Sequence, residues 1–348
     1  MKFVPDYMNI SDAAKNKKAK RLPLYEHSIS VTHMEKILNK NFADLINGDY
    51  KDKLEFFKWY CEFFKTMGYD TVSFEVAIRA VFPNGGALDQ HITPAIATRE
   101  DLLNYPWEEI PQLFHESSDE SFRALKESLP SGMKMIGGPG YGIFECVQDL
   151  TGYMNLCVIS YENHELYKDL FLNMRKLFVN IWKNFLQRHS DMCAVARMGD
   201  DLGYKSNTML SAEDIKKHIV PGYADVVSIA HSYNLPFLLH SCGNIFNVMD
   251  EIISVAKIDA KHSNEDQIAP FPVWVEKYGD RIGNFGGVDA DVLCRMDKVQ
   301  LKEYISDVLS KVGSEKGIAF GTGNSVPDYV PTENYINMIE IVREYRQG

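Results

Sequence analysis

The chain has 348 residues, of which 45% are hydrophobic and 24% are charged, and its formal net charge at pH 7 is -11. This composition predicts a globular protein with a sizeable core, and the acidic balance argues against a nucleic-acid-binding function. The sequence has no run of about 18 apolar residues, which argues against a membrane-spanning helix.

Seven short apolar segments are predicted to be β-strands, and the amphipathic segments that follow most of them are predicted to be helices. The strands are expected at 70–78, 134–138, 193–199, 236–241, 258–263, 281–287 and 317–323. The helices are expected around 100–129 and at 162–189, 211–233, 244–256, 296–312 and 332–346.

Strands that alternate with helices indicate βαβ units and a parallel sheet. No predicted strand is followed by a G-x-G-x-x-G turn, which disfavours an open dinucleotide-binding sheet. An eighth strand within 83–98 would complete a closed barrel, a fold whose usual size matches this chain. The sequence therefore predicts an α/β fold, a (β/α)8 TIM-type barrel. We expect one domain over residues 1–348, with an N-terminal helical extension at 1–69.

The N-terminus and the cysteines bear on the compartment in which the protein works. The first residues lack the apolar segment of a signal peptide. Six cysteines occur at irregular spacing, without a C-x-x-C pair, which is typical of reduced thiols. We therefore expect a cytoplasmic protein.

Polar clusters that contain glycine follow nearly every predicted strand, whereas the helix-to-strand connections are plain. In a barrel of this type the carboxyl ends of all strands meet at one face, where active sites are built. The sequence therefore predicts a functional site at that face. The clusters are "GGPGYG" (137–142), "RMGDDLG" (197–203), "HSCGN" (240–244), "KHSNED" (261–266), "GGVDAD" (286–291) and "GTGNS" (321–325).

The cluster "HSCGN" places an imidazole and a thiol two residues apart at a strand end. His240 and Cys242 would point to the same side of an extended strand, and Gly243 would let the chain turn away. Imidazole nitrogen and thiolate sulfur suit Zn²⁺, which in catalytic sites takes three protein ligands and leaves one position open. We therefore predict that both residues bind zinc. The alternative is a buried histidine beside a buried cysteine.

Other ionisable residues at strand ends are candidates for the third ligand or for acid–base catalysis. His262 is expected to be a ligand, a general base or a partner of a ligand, and the alternative is a hydrogen-bonded core histidine. Asp200 is expected to perform acid–base chemistry, to bind metal or to orient a ligating histidine, and Asp201 to cap the following segment. Glu75 lies within an apolar strand, so it either points into the barrel mouth or lies on the surface.

A few weaker candidates complete the predicted site. Glu145 begins a helix, where an acidic residue is expected in any case. Gly138 in "GGPGYG" and Asn324 in "GTGNS" are assigned to cofactor binding. Tyr141 and Tyr329 lie in strand-end loops, where they could form walls of a substrate pocket.

The order of these segments resembles that of the uroporphyrinogen decarboxylase superfamily over roughly residues 60–345. The resemblance rests on "GGPGYGIFE", on "LSAEDIKKHIVPGYADVVSIAH" leading into "PFLLHSCGN", and on "GGVD" and "GTGNSVPDYVPTENY". It implies a (β/α)8 barrel. The order of elements does not by itself choose a reaction.

One branch of the superfamily is the true uroporphyrinogen decarboxylases. These begin with a segment close to R-Q-A-G-R-Y that binds the substrate carboxylates, and this chain has nothing similar. A substrate with eight carboxylates needs cationic partners, and Arg79, Arg99 and Arg197 are the only candidates near the predicted strand ends. Decarboxylation is therefore the alternative expectation.

The other branch is the corrinoid-dependent methyltransferases, which include methylcobalamin:coenzyme M methyltransferases and O-demethylases. In the coenzyme M group, zinc is held by His-x-Cys on one strand and by a second Cys in a later P-G-C turn. This sequence matches at His240 and Cys242. It differs at the later turn, "FGTGNSVP", which has Thr322 and Gly323 and lacks the second cysteine. Cys294 lies in a predicted helix and is not expected to substitute.

The resemblance implies a methyltransferase that moves a methyl group between a small methylated substrate and the cobalt of a corrinoid, with a zinc-type Lewis acid. We read no D-x-H-x-x-G corrinoid-binding segment in the chain, so we expect a partner corrinoid protein to carry that cofactor. The missing Cys favours demethylation of a methoxylated or otherwise methylated small molecule over methylation of a thiol. The alternatives are a decarboxylase for another acid and a non-catalytic barrel that binds a metal or small ligand.

Overall fold

A parallel sheet of seven strands forms the centre of the computed structural model, which describes residues 3–89, 92–313 and 317–346. The strands lie side by side in chain order, as expected when helical crossovers join parallel neighbours. Their bounds are β1 (Thr71–Ala77), β2 (Lys134–Gly140), β3 (Cys193–Gly199), β4 (Phe237–His240), β5 (Ala260–His262), β6 (Gly283–Val288) and β7 (Ile318–Thr322).

Helices cover the outer face of the sheet. π-helical turns at Ile215–Ile219 and Ile252–Ala256 continue two of them. Every described helix falls short of the length and apolar content that a bilayer crossing demands. The α-helices are α1 (Met8–Ala14), α2 (Val31–Leu38), α3 (Tyr50–Met67), α4 (Arg99–Asn104), α5 (Ile110–Ser128), α6 (Ile143–Thr151), α7 (Tyr153–Glu162), α8 (His164–His189), α9 (Ala212–Asp214), α10 (Val220–Ser232), α11 (Phe246–Glu251), α12 (Phe271–Tyr278), α13 (Ala290–Arg295), α14 (Lys298–Val312) and α15 (Thr332–Tyr345).

The α/β TIM-type fold class and all seven predicted strands are confirmed. The expectation of an eighth strand within 83–98 is wrong for the residues that the structure describes. Positions 90 and 91 lie outside the described residues, and the others form turns and irregular backbone. The stretch "PNGG" at 83–86 explains this, because proline, asparagine and glycine favour turns over a strand.

Residues 24–29, here called the closing segment, run beside β7 at the edge of the sheet. Leu24 forms a parallel bridge with Phe320 of β7. On the other side, the Ser73 hydroxyl of β1 donates to the carbonyl of Glu26 at 2.5 Å. The closing segment therefore connects the two edge strands, and the N-terminal extension contributes an extended piece as well as helices.

The inside of the barrel is filled by one residue from most of the strands, including Val195, Leu238 and Phe285. Ile10 and Ala13 of α1 pack against this layer. The carbonyl of Ala13 lies close to Gly283 and Gly317, so α1 closes the amino end of the barrel. The polar clusters lie at the opposite, carboxyl ends of the strands, where active sites of this fold are built.

Glu26 of the closing segment is fully buried. Its Oε2 is hydrogen-bonded to the hydroxyl of Thr322, and that hydroxyl donates its own proton to the carbonyl of Asn324 at 2.6 Å. The hydroxyl has only one proton to donate, so a protonated Glu26 carboxyl group would satisfy both contacts. Burial raises the pKa of Glu26 to about 8, which agrees with a neutral side chain.

We expect Glu26→Gln to flatten the dependence of stability on pH. A carboxyl with a raised folded-state pKa stabilises the fold fully below its unfolded value, near 4.5, and this contribution is lost as pH rises through about 8. Glutamine has a similar shape and does not titrate. Thermal midpoints measured from about pH 5 to pH 9 should fall more steeply for the native protein than for the variant. Parallel curves would contradict this assignment.

Candidate functional site

His240 and His262 end adjacent strands and are paired in the β4–β5 register. The Nε2–H of His262 donates to the carbonyl of Thr322 at 3.0 Å, since a carbonyl can only accept. Burial lowers the pKa of His262 to about 3, so its ring is neutral and its Nδ1 accepts the Nδ1–H of His240 at 2.7 Å. This relay fixes the tautomer of His240 and leaves a lone pair on its Nε2.

Cys242 lies just beyond β4, with its sulfur 3.4 Å from the Nε2 of His240. The structure thus brings together the two residues that the sequence predicts as metal ligands. Gly243 has a φ of 86°, and a Cβ at this position would lie 2.1 Å from the carbonyl carbon of Gly203. Glycine follows the cysteine because the loops after β3 and β4 touch at this point.

Asp200 points away from this pair and is fully buried. Its carboxylate accepts the backbone N–H groups of Phe144 and Glu145, each at 3.0 Å, and the hydroxyl of Tyr223 at 2.5 Å. These bonds make Asp200 a cap for the N-terminus of α6. Burial raises the pKa of Asp200 to about 6. All its partners are structural, so this placement does not favour the predicted catalytic role.

Asp201 is the carboxylate that reaches the predicted metal ligands. Its Oδ1 lies 3.7 Å from the Nε2 of His240 and accepts the backbone N–H of Cys242 at 2.8 Å. The sequence predicts Asp201 as the cap and Asp200 at the site, whereas in the structure Asp200 caps α6 and Asp201 lies beside His240 and Cys242. The signal in the sequence was the Asp-Asp pair itself, which did not show which side chain turns inward.

Asp201, His240 and Cys242 offer an oxygen, a nitrogen and a sulfur atom that all lie within 4.8 Å of one another. Burial and the neighbouring Asp201 raise the pKa of the Cys242 thiol, because both disfavour a thiolate. A bound cation would favour the thiolate and so lower the pKa of Cys242. Cysteine, histidine and aspartate are all zinc ligands, and three protein ligands beside an open cleft leave a fourth position free, so these residues fit the ion.

His27 of the closing segment stacks on His240, with ring centroids 3.8 Å apart and an interplanar angle of 19°. His27, His240 and His262 form a second group of three possible ligands. Both ring nitrogens of His262 already have partners, which favours the group that contains Cys242. Sequence reasoning missed His27, because it lies outside every strand-end cluster and in a region assigned to helical decoration.

A cleft of about 270 Å³ opens beside these residues at the carboxyl ends of the strands. Glu75 of β1 reaches it, and its Oε2 accepts the Nη2–H of the buried Arg197 at 2.8 Å. Glu75 thus faces the barrel mouth, one of the two placements that the sequence allowed. The residues around the cleft include His27, Glu75, Tyr141, Glu145, Asp201 and His240.

Glu145 also lines the cleft, at the start of α6. Burial and the nearby Asp200 and Asp201 raise the pKa of Glu145 well above its ordinary value. This shift favours the protonated form of the Glu145 carboxyl group. A protonated carboxyl group at the wall of a cleft is suited to general-acid catalysis.

Asn324 lies between this cleft and a larger adjoining cleft of about 660 Å³. Its Nδ2 donates to the sulfur of Cys242 at 3.3 Å. The "GTGNS" turn therefore approaches the predicted metal ligands with an amide instead of a thiol. Tyr329 and Cys294 line the larger cleft.

Gly138, the other residue assigned to cofactor binding, lies away from the cleft. A Cβ at Gly138 would lie 2.9 Å from the ring of Trp182 in α8. The absence of a side chain thus lets the outer helix pack closely against β2. This placement gives the predicted cofactor role of Gly138 no support.

A family model described as uroporphyrinogen decarboxylase (URO-D) matches residues 92–345. The matched range includes β2 to β7, and with them Asp201, His240 and Cys242. The chain belongs to the uroporphyrinogen decarboxylase family. A search of curated proteins found no match for the sequence.

Two solved structures share the fold of this uroporphyrinogen decarboxylase family member at low sequence identity. A methyltransferase from Methanosarcina mazei has a TM-score of 0.71 and 14% identity, over 98% of this chain and 99% of the other. A protein described as a vitamin-B12-independent methionine synthase from Listeria monocytogenes has a TM-score of 0.54 and 11% identity, over 94% and 98%. These comparisons show the fold and leave the reaction to be argued from the site.

The three arginines considered as carboxylate partners all form ion pairs with this family member's own acidic residues. An arginine that already pairs with an aspartate or glutamate offers little to an incoming carboxylate. The cleft is therefore poorly equipped for a substrate with eight carboxylates. The pairs are Arg79–Asp149 at 3.3 Å, Arg99–Asp169 at 2.5 Å and Arg197–Glu75 at 2.8 Å.

Proposed function

We propose that this protein is a methyltransferase that moves a methyl group between a small methylated substrate and the cobalt of a corrinoid carried by a partner protein. The observation that carries the proposal is the convergence of Asp201, His240 and Cys242 beside an open cleft at the barrel mouth. We propose that these residues hold one zinc ion. Zinc, when bound there, would act as a Lewis acid on the heteroatom that exchanges the methyl group.

The other residues of the site prepare this chemistry. The relay from the carbonyl of Thr322 through His262 keeps the Nε2 of His240 unprotonated and aimed at the sulfur of Cys242. His27 stacks on the ring of His240 and restricts its rotation. Asn324 donates to the sulfur and limits the approach to it from the larger cleft. Together these contacts hold the ligand atoms in place before substrate binds.

Glu145 supplies a proton in the direction of demethylation. In that direction the reduced corrinoid would supply the electron pair that accepts the methyl group, and the bond between the methyl carbon and the substrate oxygen would break. The substrate oxygen would keep the electron pair of the broken bond and need a proton, and the raised pKa of Glu145 suits its carboxyl group to donate one. We therefore favour a methoxylated substrate, as in O-demethylases.

The fold similarity to the methyltransferase from Methanosarcina mazei supports this class of reaction. The paired states of Arg79, Arg99 and Arg197 argue against decarboxylation of a porphyrinogen. The corrinoid is proposed to arrive on a partner, and the larger cleft next to Asn324 leaves room for its approach. The chain's net charge of -11 would favour a partner with a basic patch.

The proposal is tested by mixing the protein with a methoxylated compound and a purified reduced corrinoid protein. We expect the absorbance of the reduced corrinoid to disappear as it is methylated. Transfer should be faster with the corrinoid protein than with free cobalamin at equal concentration. It should slow as ionic strength rises, because salt screens the attraction between the proteins.

Two results would contradict the proposal. Turnover of the substrate without any cobalt would point to a decarboxylase or lyase. Binding of a metal or ligand without methyl transfer, for a broad set of O-, N- and S-methyl compounds, would point to a non-catalytic barrel.

A further inference from the structure

A second cavity, of about 230 Å³, lies at the amino ends of the strands, on the face opposite the candidate metal site. Residues 18–23 form one wall, and Ile318 at the start of β7 lies on another. Among the described residues that line it, four carry positive charge and none carries negative charge. These four are Lys18, Lys20, Arg21 and Arg346. Such an excess is unexpected in a chain whose net charge is -11.

The guanidinium group of Arg346 has a hydrogen-bond partner for one of its nitrogens and none for the other two among the described residues. Its Nη1 donates to the carbonyl of Gly68 at 3.1 Å. Its Nε and Nη2 are buried and have no hydrogen-bond partner among the described residues. These two nitrogens form the edge of a guanidinium group that binds both oxygens of an oxyanion. Donors that are buried without a partner are costly, so the edge is suited to an anion.

Arg21, next to Arg346 in the same cavity wall, shows the pairing that Arg346 lacks. The Nε and Nη2 of Arg21 both donate to the carboxylate of Asp70. Asp70 also accepts the backbone N–H of Asp6, and the side chain of Asp6 pairs with Lys20 at 3.3 Å. The nearby acids thus have other partners. Burial lowers the pKa of Arg346 to about 10, so the group stays charged at neutral pH.

We propose that this cavity binds a small organic phosphate. The phosphate group would pair with the unpartnered Nε and Nη2 of Arg346. Leu309 and Ile318 form an apolar part of the wall, against which the organic portion would pack. The proposal does not rest on the methyl-transfer function, since the two sites lie at opposite ends of the barrel.

The test uses inorganic phosphate and phenyl phosphate as probes, with isothermal titration calorimetry on the full chain at low ionic strength. We expect one site per chain, and tighter binding of phenyl phosphate because its ring meets Leu309 and Ile318. Equal affinities would indicate a site for free phosphate. Hydrogen exchange of the native protein should slow at residues 18–23 when phenyl phosphate is added. Slowing at residues 240–244 alone would overturn the proposal.

Variants of Arg346 test whether its guanidinium group binds the phosphate. Arg346→Met should weaken phenyl phosphate binding at least about tenfold, and Arg346→Lys should weaken it less, since it keeps the charge and loses the paired donors. Lys302→Met is the matched control, because Lys302 is an exposed cation that pairs with Glu344 at 2.9 Å and lines none of this cavity. An equal loss in Arg346→Met and Lys302→Met would show surface attraction only. Unchanged binding in both Arg346 variants would also overturn the proposal.

Discussion

Cys242→Ala and His240→Ala are each expected to lose zinc and to slow methyl transfer by more than about 100-fold. Each substitution removes one of three donors, and two remaining donors hold zinc too weakly to survive desalting. The measurement is the zinc content per chain of desalted protein, together with the rate of corrinoid methylation. Cys294→Ala is the control, because this thiol lines the larger cleft and is absent from the ligand group. Unchanged zinc in both ligand variants would show that the pair is structural.

The two adjacent aspartates provide a matched comparison within the same experiment. Asp201→Asn should lower zinc content, because it removes the charge of the third donor. Asp200→Asn should keep zinc and lower the thermal midpoint, because Asp200 caps α6 and bonds to Tyr223. The opposite pattern would restore the roles expected from the sequence, with Asp200 at the site and Asp201 as a cap.

Arg197→Met is expected to reduce the free energy of unfolding by about 3 kcal/mol. Arg197 is fully buried, and the substitution leaves Glu75 without its cation in a cleft that also contains Asp201. It also removes the donor to the carbonyl of His27 at 2.7 Å, which anchors the closing segment. Urea unfolding curves of the native protein and the variant give the difference.

Two further variants separate charge from packing in this prediction. The double variant Arg197→Met with Glu75→Gln should recover part of the lost stability, because no uncompensated carboxylate remains. Arg295→Met should change little, since Arg295 is exposed and its ion-pair partner among the described residues is Asp291 on the same helix. If Arg197→Met were as stable as the native protein, the ion pair with Glu75 would not hold the barrel mouth together.

The strands of the barrel could be predicted from the sequence because each one is a short apolar run that ends in a polar cluster. The prediction for β3 at 193–199 matches the observed bounds Cys193–Gly199. The edge of the sheet could not be predicted in the same way. The closing segment is short, and its contacts with Phe320 and Ser73 depend on residues distant in the chain. An extended segment that is stabilised by such contacts has no periodic pattern of its own.

The candidate site also has one part that the local sequence predicts and another that depends on distant contacts. The spacing of His240 and Cys242 within one strand end shows which side chains can meet, and the structure brings them to 3.4 Å. The choice between Asp200 and Asp201 depends on the position of α6, which the local sequence does not reveal. His27 reaches the site only through the closing segment, so neither its stacking on His240 nor its place in the cleft was predictable.

The most direct test of the central claim is X-ray absorption at the zinc edge of the purified native protein. The proposed site predicts one zinc per chain with one sulfur ligand at about 2.3 Å and nitrogen or oxygen ligands at about 2.0–2.2 Å. The sulfur signal should disappear in any zinc that remains in Cys242→Ala. A shell with two sulfur ligands, a shell of oxygen atoms only, or protein that takes up no zinc would contradict the assignment of Asp201, His240 and Cys242.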